Sequence, residues 1–230
     1  MESTNPLKRT IGFFVPHRTI PHTSWAAANR WDLSILRLAI LISGLSIFGV
    51  GEAFLIQSNL GNSPWTVLAQ GFSLHSPFSI GESTFLISSI VLCIWLPLGE
   101  RPGFGTLANM VVIATSLQIG VSFIPSVQNN TILSIAMILI GIGAVGIGSA
   151  FYITCALGPG PRDGLMTALH KRTGIRVGRV RLLIELLALL CGIALGGSAG
   201  IGTALFALLI GNSVAIAFSM VHKINTYANR

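Results

Sequence analysis

Charge is scarce in this chain: only 9% of its 230 residues are Asp, Glu, Lys or Arg, against roughly 25% in an average soluble domain. A water-soluble fold of this size could not cover itself with so little polar surface. The mean hydropathy of +0.77 calls instead for the apolar exterior that a bilayer accepts. Cysteine is scarce too. Cys93, Cys155 and Cys191 stand far apart in apolar stretches, a pattern that suggests packing rather than a disulfide framework or a zinc site. The five histidines show no metal-ligand spacing, and no phosphate-binding loop, catalytic triad or haem motif occurs. No cofactor, metal or enzymatic activity is therefore expected.

What the chain has is apolar sequence, 52% of the total. It falls into six stretches of helical length, about 33–56, 78–98, 103–124, 131–156, 177–197 and 200–221, each long enough to cross the hydrocarbon core. Their ends carry helix punctuation. Pro125 follows the third, Gly196 and Gly197 end the fifth, and GFGT (103–106) and GIGT (200–203) place a Thr near a helix start. The expected fold class is an all-α polytopic membrane protein of six transmembrane helices.

Lys and Arg outnumber Asp and Glu by 14 to 7, a net charge of +7. In a soluble protein that surplus would raise nucleic acid as a partner; here it reads as topology, and no nucleic-acid role is expected. With six spans, every basic residue falls on one side: Lys8, Arg9, Arg18, Arg30 and Arg37 before or at the first span, Arg101, the group from Arg162 to Arg181, then Lys223 and Arg230. The opposite loops, 57–77, 125–130 and 198–199, contain none. Cytoplasmic loops hold the positive charge, so both termini are placed inside a bacterial inner membrane. The first 32 residues lack the apolar core of a cleavable signal peptide. The expected organisation is a cytoplasmic basic segment over 1–32, a membrane repeat over 33–127, a second over 128–222 and a cytoplasmic tail over 223–230.

The division into repeats comes from the chain itself. A shift of 97 residues, without a gap, lays FGVGEAFLIQSNLGNSPWTVL (48–68) on VGIGSAFYITCALGPGPRDGL (145–165). The register continues: Gly81 meets Gly178, Leu98-Gly99 meets Leu195-Gly196, and Gly105-Thr106 meets Gly202-Thr203. Each unit holds three spans, an odd number, so the second enters the membrane from the opposite side. Inverted-topology repeats are a recurrent build of secondary transporters, with the site at their interface.

After the first span of each unit comes a Gly/Pro break and a short amphipathic segment, 58–72 and 155–170. Two readings fit: a re-entrant half-helix whose N-terminus attracts anionic groups, with Pro64 and Pro161 in the first turn, or a connector lying flat at the interface. The runs GLSIFGVG (44–51) and GIGAVGIG (141–148) allow close helix approach and are expected to pack the repeats together.

The stretch GPGPRDGLM (158–166), with HKRTG (170–174), RVRLLIEL (179–186), LGG (195–197) and GIGTA (200–204), resembles the bacterial YczE-type membrane proteins, a group similar in turn to the wider YitT-like set. The likeness covers most of 36–220. The first unit departs from it, with Trp65 and Thr66 where the second has Arg162 and Asp163. The resemblance implies an inner-membrane protein acting as a transporter or as an accessory to secondary-metabolite production.

Few residues can carry chemistry. Arg162 and Asp163 start a helix after Pro161; they are either an interfacial pair, Asp favoured by the dipole and Arg snorkelling, or a solute contact beside a half-helix N-terminus. Glu185, eight residues into the fifth span, is either an ion pair with Arg181 one turn earlier or a protonatable or cation-binding group. Asn62 joins Pro161, Arg162, Asp163 and Glu185 as the expected solute-binding set. Glu52 and Glu82 sit near span ends, where interfacial solvation is the default. Asn59, Asn109, Gln118 and Asn212 suit inter-helix hydrogen bonds or the lining of a path. The leading expectation is secondary transport of a small molecule or ion at the repeat interface. The alternative is a non-transporting scaffold whose basic inner face, 171–181, holds a cytoplasmic protein or anionic lipid. A homo-oligomer is compatible with both.

Overall fold

A computed structural model describes residues 20–228; Lys8, Arg9, Arg18 and Arg230 lie outside the described residues. The described chain forms eight helices and no strand: α1 (Ile35–Gln57), α2 (Pro64–Leu74), α3 (Ile80–Leu98), α4 (Phe104–Phe123), α5 (Thr131–Thr154), α6 (Pro161–Thr173), α7 (Val177–Ala194) and α8 (Ile201–Ala228). All six expected spans appear as helices within a few residues of their anticipated limits, α8 running further at its C-terminal end. Pro64 and Pro161 open α2 and α6, where a missing N–H costs nothing. Ser34 and Asn130 cap α1 and α5 through their side-chain oxygens, and Gly174, at φ +70°, ends α6.

Four helices, α1, α4, α5 and residues 201–227 of α8, are long and apolar enough to cross a bilayer. The other two expected spans are less clear-cut. In α3 the apolar run is shorter, Ile80–Trp95, and α7 carries Arg179, Arg181 and Glu185 within 18 residues. Large apolar side chains face outward, Leu208 at 74% and Leu182 at 67% exposure among them, while the interior holds buried Ser and Thr. That distribution suits a lipid exterior and would be a liability in water. The chain is an all-helical, multi-pass membrane protein.

The core is the crossing of α1 with α5. A Cβ on Gly148 would fall 2.5 Å from the Gly44 carbonyl, and one on Gly51 2.8 Å from the Gly141 carbonyl, so the two small-residue runs meet with their backbones in contact. α4 packs on α1 and α8 on α5. α2 packs on α7, and α3 on α6.

The register of 97 residues recurs in the backbone. Asn59 and Ala156 both take left-handed torsions (φ 56° and 55°), as do Gly61 and Gly158 (φ 112° and 113°) and Gly99 and Gly196 (φ 76° and 81°). Hydrogen bonds follow the same register. Gly202 N donates to Leu60 O and Gly105 N to Leu157 O, each at 2.8 Å. The contacts are reciprocal: the turn after α1 seats on the start of α8, and the turn after α5 on the start of α4.

Ahead of α1, residues 20–34 form a strap across the ends of α4, α5 and α8. Trp25 is buried, with its indole N–H donating to Thr154 Oγ1 at 3.3 Å. Ala27 N donates to Cys155 O at 3.0 Å, and Phe104 N to Arg30 O at 3.1 Å. Arg37 pins the strap from below: its guanidinium donates to the carbonyls of Trp25, Asp32 and Ala26 and pairs with the Asp32 carboxylate at 3.1 Å.

Candidate functional site

A cavity of about 80 Å³ lies between the two short helices. From α2 it is lined by Trp65, Thr66 and Ala69, and from the start of α6 by Gly160, Pro161, Arg162 and Asp163. The longer helices add Phe48 and Glu52 (α1), Thr84 and Ser88 (α3), Asn109 (α4) and Tyr152 (α5). One guanidinium and two carboxylates thus face a space otherwise walled by aromatic and aliphatic side chains and by the uncharged polar groups of Thr66, Thr84, Ser88, Asn109 and Tyr152.

Local structure explains why these groups converge. After α1 the chain turns through Asn59 and Gly61 and runs back, so α2 begins beside the last turns of α1 rather than beyond its end. Ser63 and Thr66 thereby reach Glu52, which is 3% exposed. Ser63 Oγ lies 2.8 and 3.0 Å from the two carboxyl oxygens, Thr66 Oγ1 lies 2.7 Å from Oε2, and the two hydroxyls are 3.0 Å apart. The second unit repeats the turn through Ala156 and Gly158. Here Tyr152 donates its hydroxyl to Asp163 Oδ2. Arg162 Nε sits 3.9 Å from Asp163 Oδ1, with its guanidinium 5.7 Å from the Phe48 ring centroid, within cation–π range. Trp95 Nε1 donates to the Pro161 carbonyl at 2.9 Å and so holds the start of α6 in place. The Trp65 indole N–H is buried and finds no hydrogen-bond partner among the described residues, a donor whose desolvation costs about 1–3 kcal/mol until something accepts from it.

Of the residues singled out from sequence, Pro161, Arg162 and Asp163 come together at this cavity. Glu185 does not line it. Its Oε1 accepts from Arg181 Nε at 3.0 Å, and the pair borders a small cleft beyond Arg162, Asp163 and Trp65. Asn62 is also elsewhere. Buried beneath the turn, it donates to Gln70 Oε1 at 2.8 Å and through its backbone to Ser198 O at 3.2 Å.

Glu82 is exposed at the start of α3, its carboxylate accepting from Ser79 N and Oγ at 2.8 Å. Glu52 departs from that default. The fold-back of α2 covers it, so it meets hydroxyls instead of interfacial water. The signal was in the sequence: a carboxylate five residues inside an apolar helix end needs partners as much as Glu185 does.

Helical among the described residues, multi-pass and apolar outside, the protein is of the polytopic membrane class, with charged side chains facing an internal cavity. The model of DUF6198, a family of unknown function, matches residues 35–219, and the chain belongs to that family. It is 43% identical to an uncharacterized protein of Haemophilus influenzae over 209 residues, 90% of this chain and 94% of that one. To the uncharacterized membrane protein YczE of Bacillus subtilis it is 32% identical over 197 residues, 85% of this chain and 87% of YczE. To the uncharacterized protein YyaS of the same bacterium it is 28% identical over 184 residues, 78% of this chain and 91% of YyaS. The resemblance to YczE-type membrane proteins is thus borne out. No solved structure matches the chain.

Proposed function

We propose that this chain is a secondary transporter of a small polar solute or ion, built from six crossing helices as two inverted three-helix repeats, with its termini on the cytoplasmic side of a bacterial inner membrane. The observation that carries the reading is the cavity walled by the starts of both short helices, with Arg162, Asp163 and Glu52 on its surface. Paired torsions and reciprocal contacts at the 97-residue register support the repeat. Three crossings per unit make it inverted, and transporters of that build place their sites where the repeats meet.

The two less apolar helices can still cross. α3, at 19 residues, is about 28 Å long, close to the hydrocarbon thickness. α7 carries its arginines within its first turns, where they can snorkel to headgroups. The irregular turns are tolerated at membrane depth because Ser58, Asn62, Ser63 and Leu157 are buried in protein. A cavity of about 80 Å³ suits a small solute rather than a large one.

In proteoliposomes, the wild-type chain is expected to accumulate or exchange at least one member of a labelled panel of small amines, amino acids and organic acids. Arg162→Ala should abolish that uptake, and Arg172→Ala, on the exposed face, should not. Absence of uptake or exchange for every panel member, under proton and sodium gradients, would sink the proposal. The same exposed face favours a second reading. Arg172, Arg176 and Arg179 are all exposed, which suits attraction to anionic headgroups or to a cytoplasmic partner.

A further inference from the structure

Glu52 is buried, 3% exposed, within a bundle of apolar helices. Four contacts tie its carboxyl group to two hydroxyls and the hydroxyls to each other: Ser63 Oγ lies 3.0 Å from Oε1 and 2.8 Å from Oε2, Thr66 Oγ1 lies 2.7 Å from Oε2, and the hydroxyls are 3.0 Å apart. These partners are all neutral, and among the described residues no cation stands within ion-pair distance of Glu52. A buried carboxylate without a counter-ion is costly, and a bound proton removes that cost. Ionised, the group accepts from both hydroxyls; protonated on Oε1, it closes a ring in which Glu52 donates to Ser63, Ser63 to Thr66, and Thr66 to the other carboxyl oxygen.

We infer that Glu52, Ser63 and Thr66 form a proton-binding site on the cavity wall, and that the proton is the ion coupled to solute movement. The coupling half rests on the transport reading above. The step is a simple transfer. A hydronium gives its proton to Oε1 and leaves as water, and release returns the proton to water, leaving the carboxylate with two hydroxyl donors. The groups facing Glu52 across the cavity are Arg162 and Asp163 from α6 and Tyr152 from α5. The α2, α3 and α4 walls present only uncharged side chains, among them Trp65, Thr84, Ser88 and Asn109. Proton and solute would thus meet in one space, with Arg162 the one fixed cation between the carboxylates.

The test of the site uses the proton itself as probe. Infrared difference spectra of the full chain in lipid vesicles, between mildly acidic and alkaline sodium-free buffers, are expected to contain a protonated-carboxyl carbonyl band lost in Glu52→Gln. Gln carries its own N–H and can complete the ring, so this variant is expected to fold. Should it fail to, Thr66→Val is the second probe. It removes one hydrogen bond to the carboxyl group and should move the band's midpoint by about one pH unit. Spectra unchanged in both variants, or a midpoint displaced by sodium at constant pH, overturn the proton site.

Coupling is read separately. Solute accumulation by the wild-type chain should follow an imposed pH gradient, while Glu52→Gln should exchange solute without accumulating it. Accumulation indifferent to pH in the wild type overturns coupling. No solute movement in any variant is a failure of the transport reading, and the infrared result then decides the proton site alone.

Discussion

Single residues show how the two halves of the 97-residue register differ where they line the cavity. Glu52 and Thr66 in the first unit correspond to Ser149 and Asp163 in the second, so each unit supplies one acid and one hydroxyl at these places, on opposite elements. A comparable exchange of volume occurs in packing. Trp95 lies against Gly164, where a Cβ would fall 1.8 Å from the indole ring. At the corresponding place in the other unit, Gly192 lies against Val67 and Leu68, with a Cβ 2.5 Å from the Leu68 amide. Gly164→Ala is therefore expected to lower stability by about 1–3 kcal/mol through overpacking. Adding Trp95→Leu should recover part of that loss; strictly additive effects in thermal unfolding would argue against the contact. The exposed pair Arg181–Glu185 should matter less. Glu185→Gln is expected to change unfolding by under about 1 kcal/mol. Glu185 looked the more telling acid in the sequence because its depth can be counted along one helix. Glu52 acquires its partners only when a later segment folds back on it.

At the level of elements, the turns after α1 and α5 set the depth of both short helices. Gly61 and Gly158 hold φ of +112° and +113°, a backbone region that a Cβ disfavours. A Cβ on Gly61 would also press to 2.5 Å from Gly200 N, and one on Gly158 to 3.0 Å from Thr106 Oγ1. Replacing either by Ala should cost about 1–3 kcal/mol and, if the two turns do the same work, similar amounts in chemical unfolding. The strap over 20–34 is a second element held by few contacts. Arg37, with a side chain 11% exposed, satisfies three strap carbonyls and one carboxylate. Arg37→Ala should cost about 2–4 kcal/mol and open the bond after Arg30 to trypsin under conditions where the wild type resists. Resistance at Arg30 in the variant would mean that the buried Trp25 suffices to hold the strap. Proline at the first position of α2 and α6 could be anticipated from the chain alone, since it is a local steric matter. The strap could not, because its backbone is satisfied by helices far away in sequence.

For the whole molecule the question is orientation. In a variant stripped of Cys93, Cys155 and Cys191, a new cysteine at Gln128 should react with a membrane-impermeant maleimide on intact cells, and one at Arg172 only after lysis. Labelling of both on intact cells would break the six-span arrangement and the inverted repeat with it. Where the helices run, how they start and stop, and that the exterior is apolar could be read along the chain, because hydropathy, capping and proline or glycine sterics are properties of short segments. The chain also carried the 97-residue register and the Pro161–Arg162–Asp163 start of α6. Which polar groups share a cavity follows from the packing of the helices and not from the chain order. Glu52, Asn109, Tyr152 and Arg162 lie on four different helices, and their meeting depends on the close crossing of α1 with α5 and on two turns that lower helix starts between the longer helices. Such convergence is a property of packed surfaces rather than of any one segment, which is why a carboxylate that seemed interfacial in the sequence lies buried against the hydroxyls of a neighbouring helix.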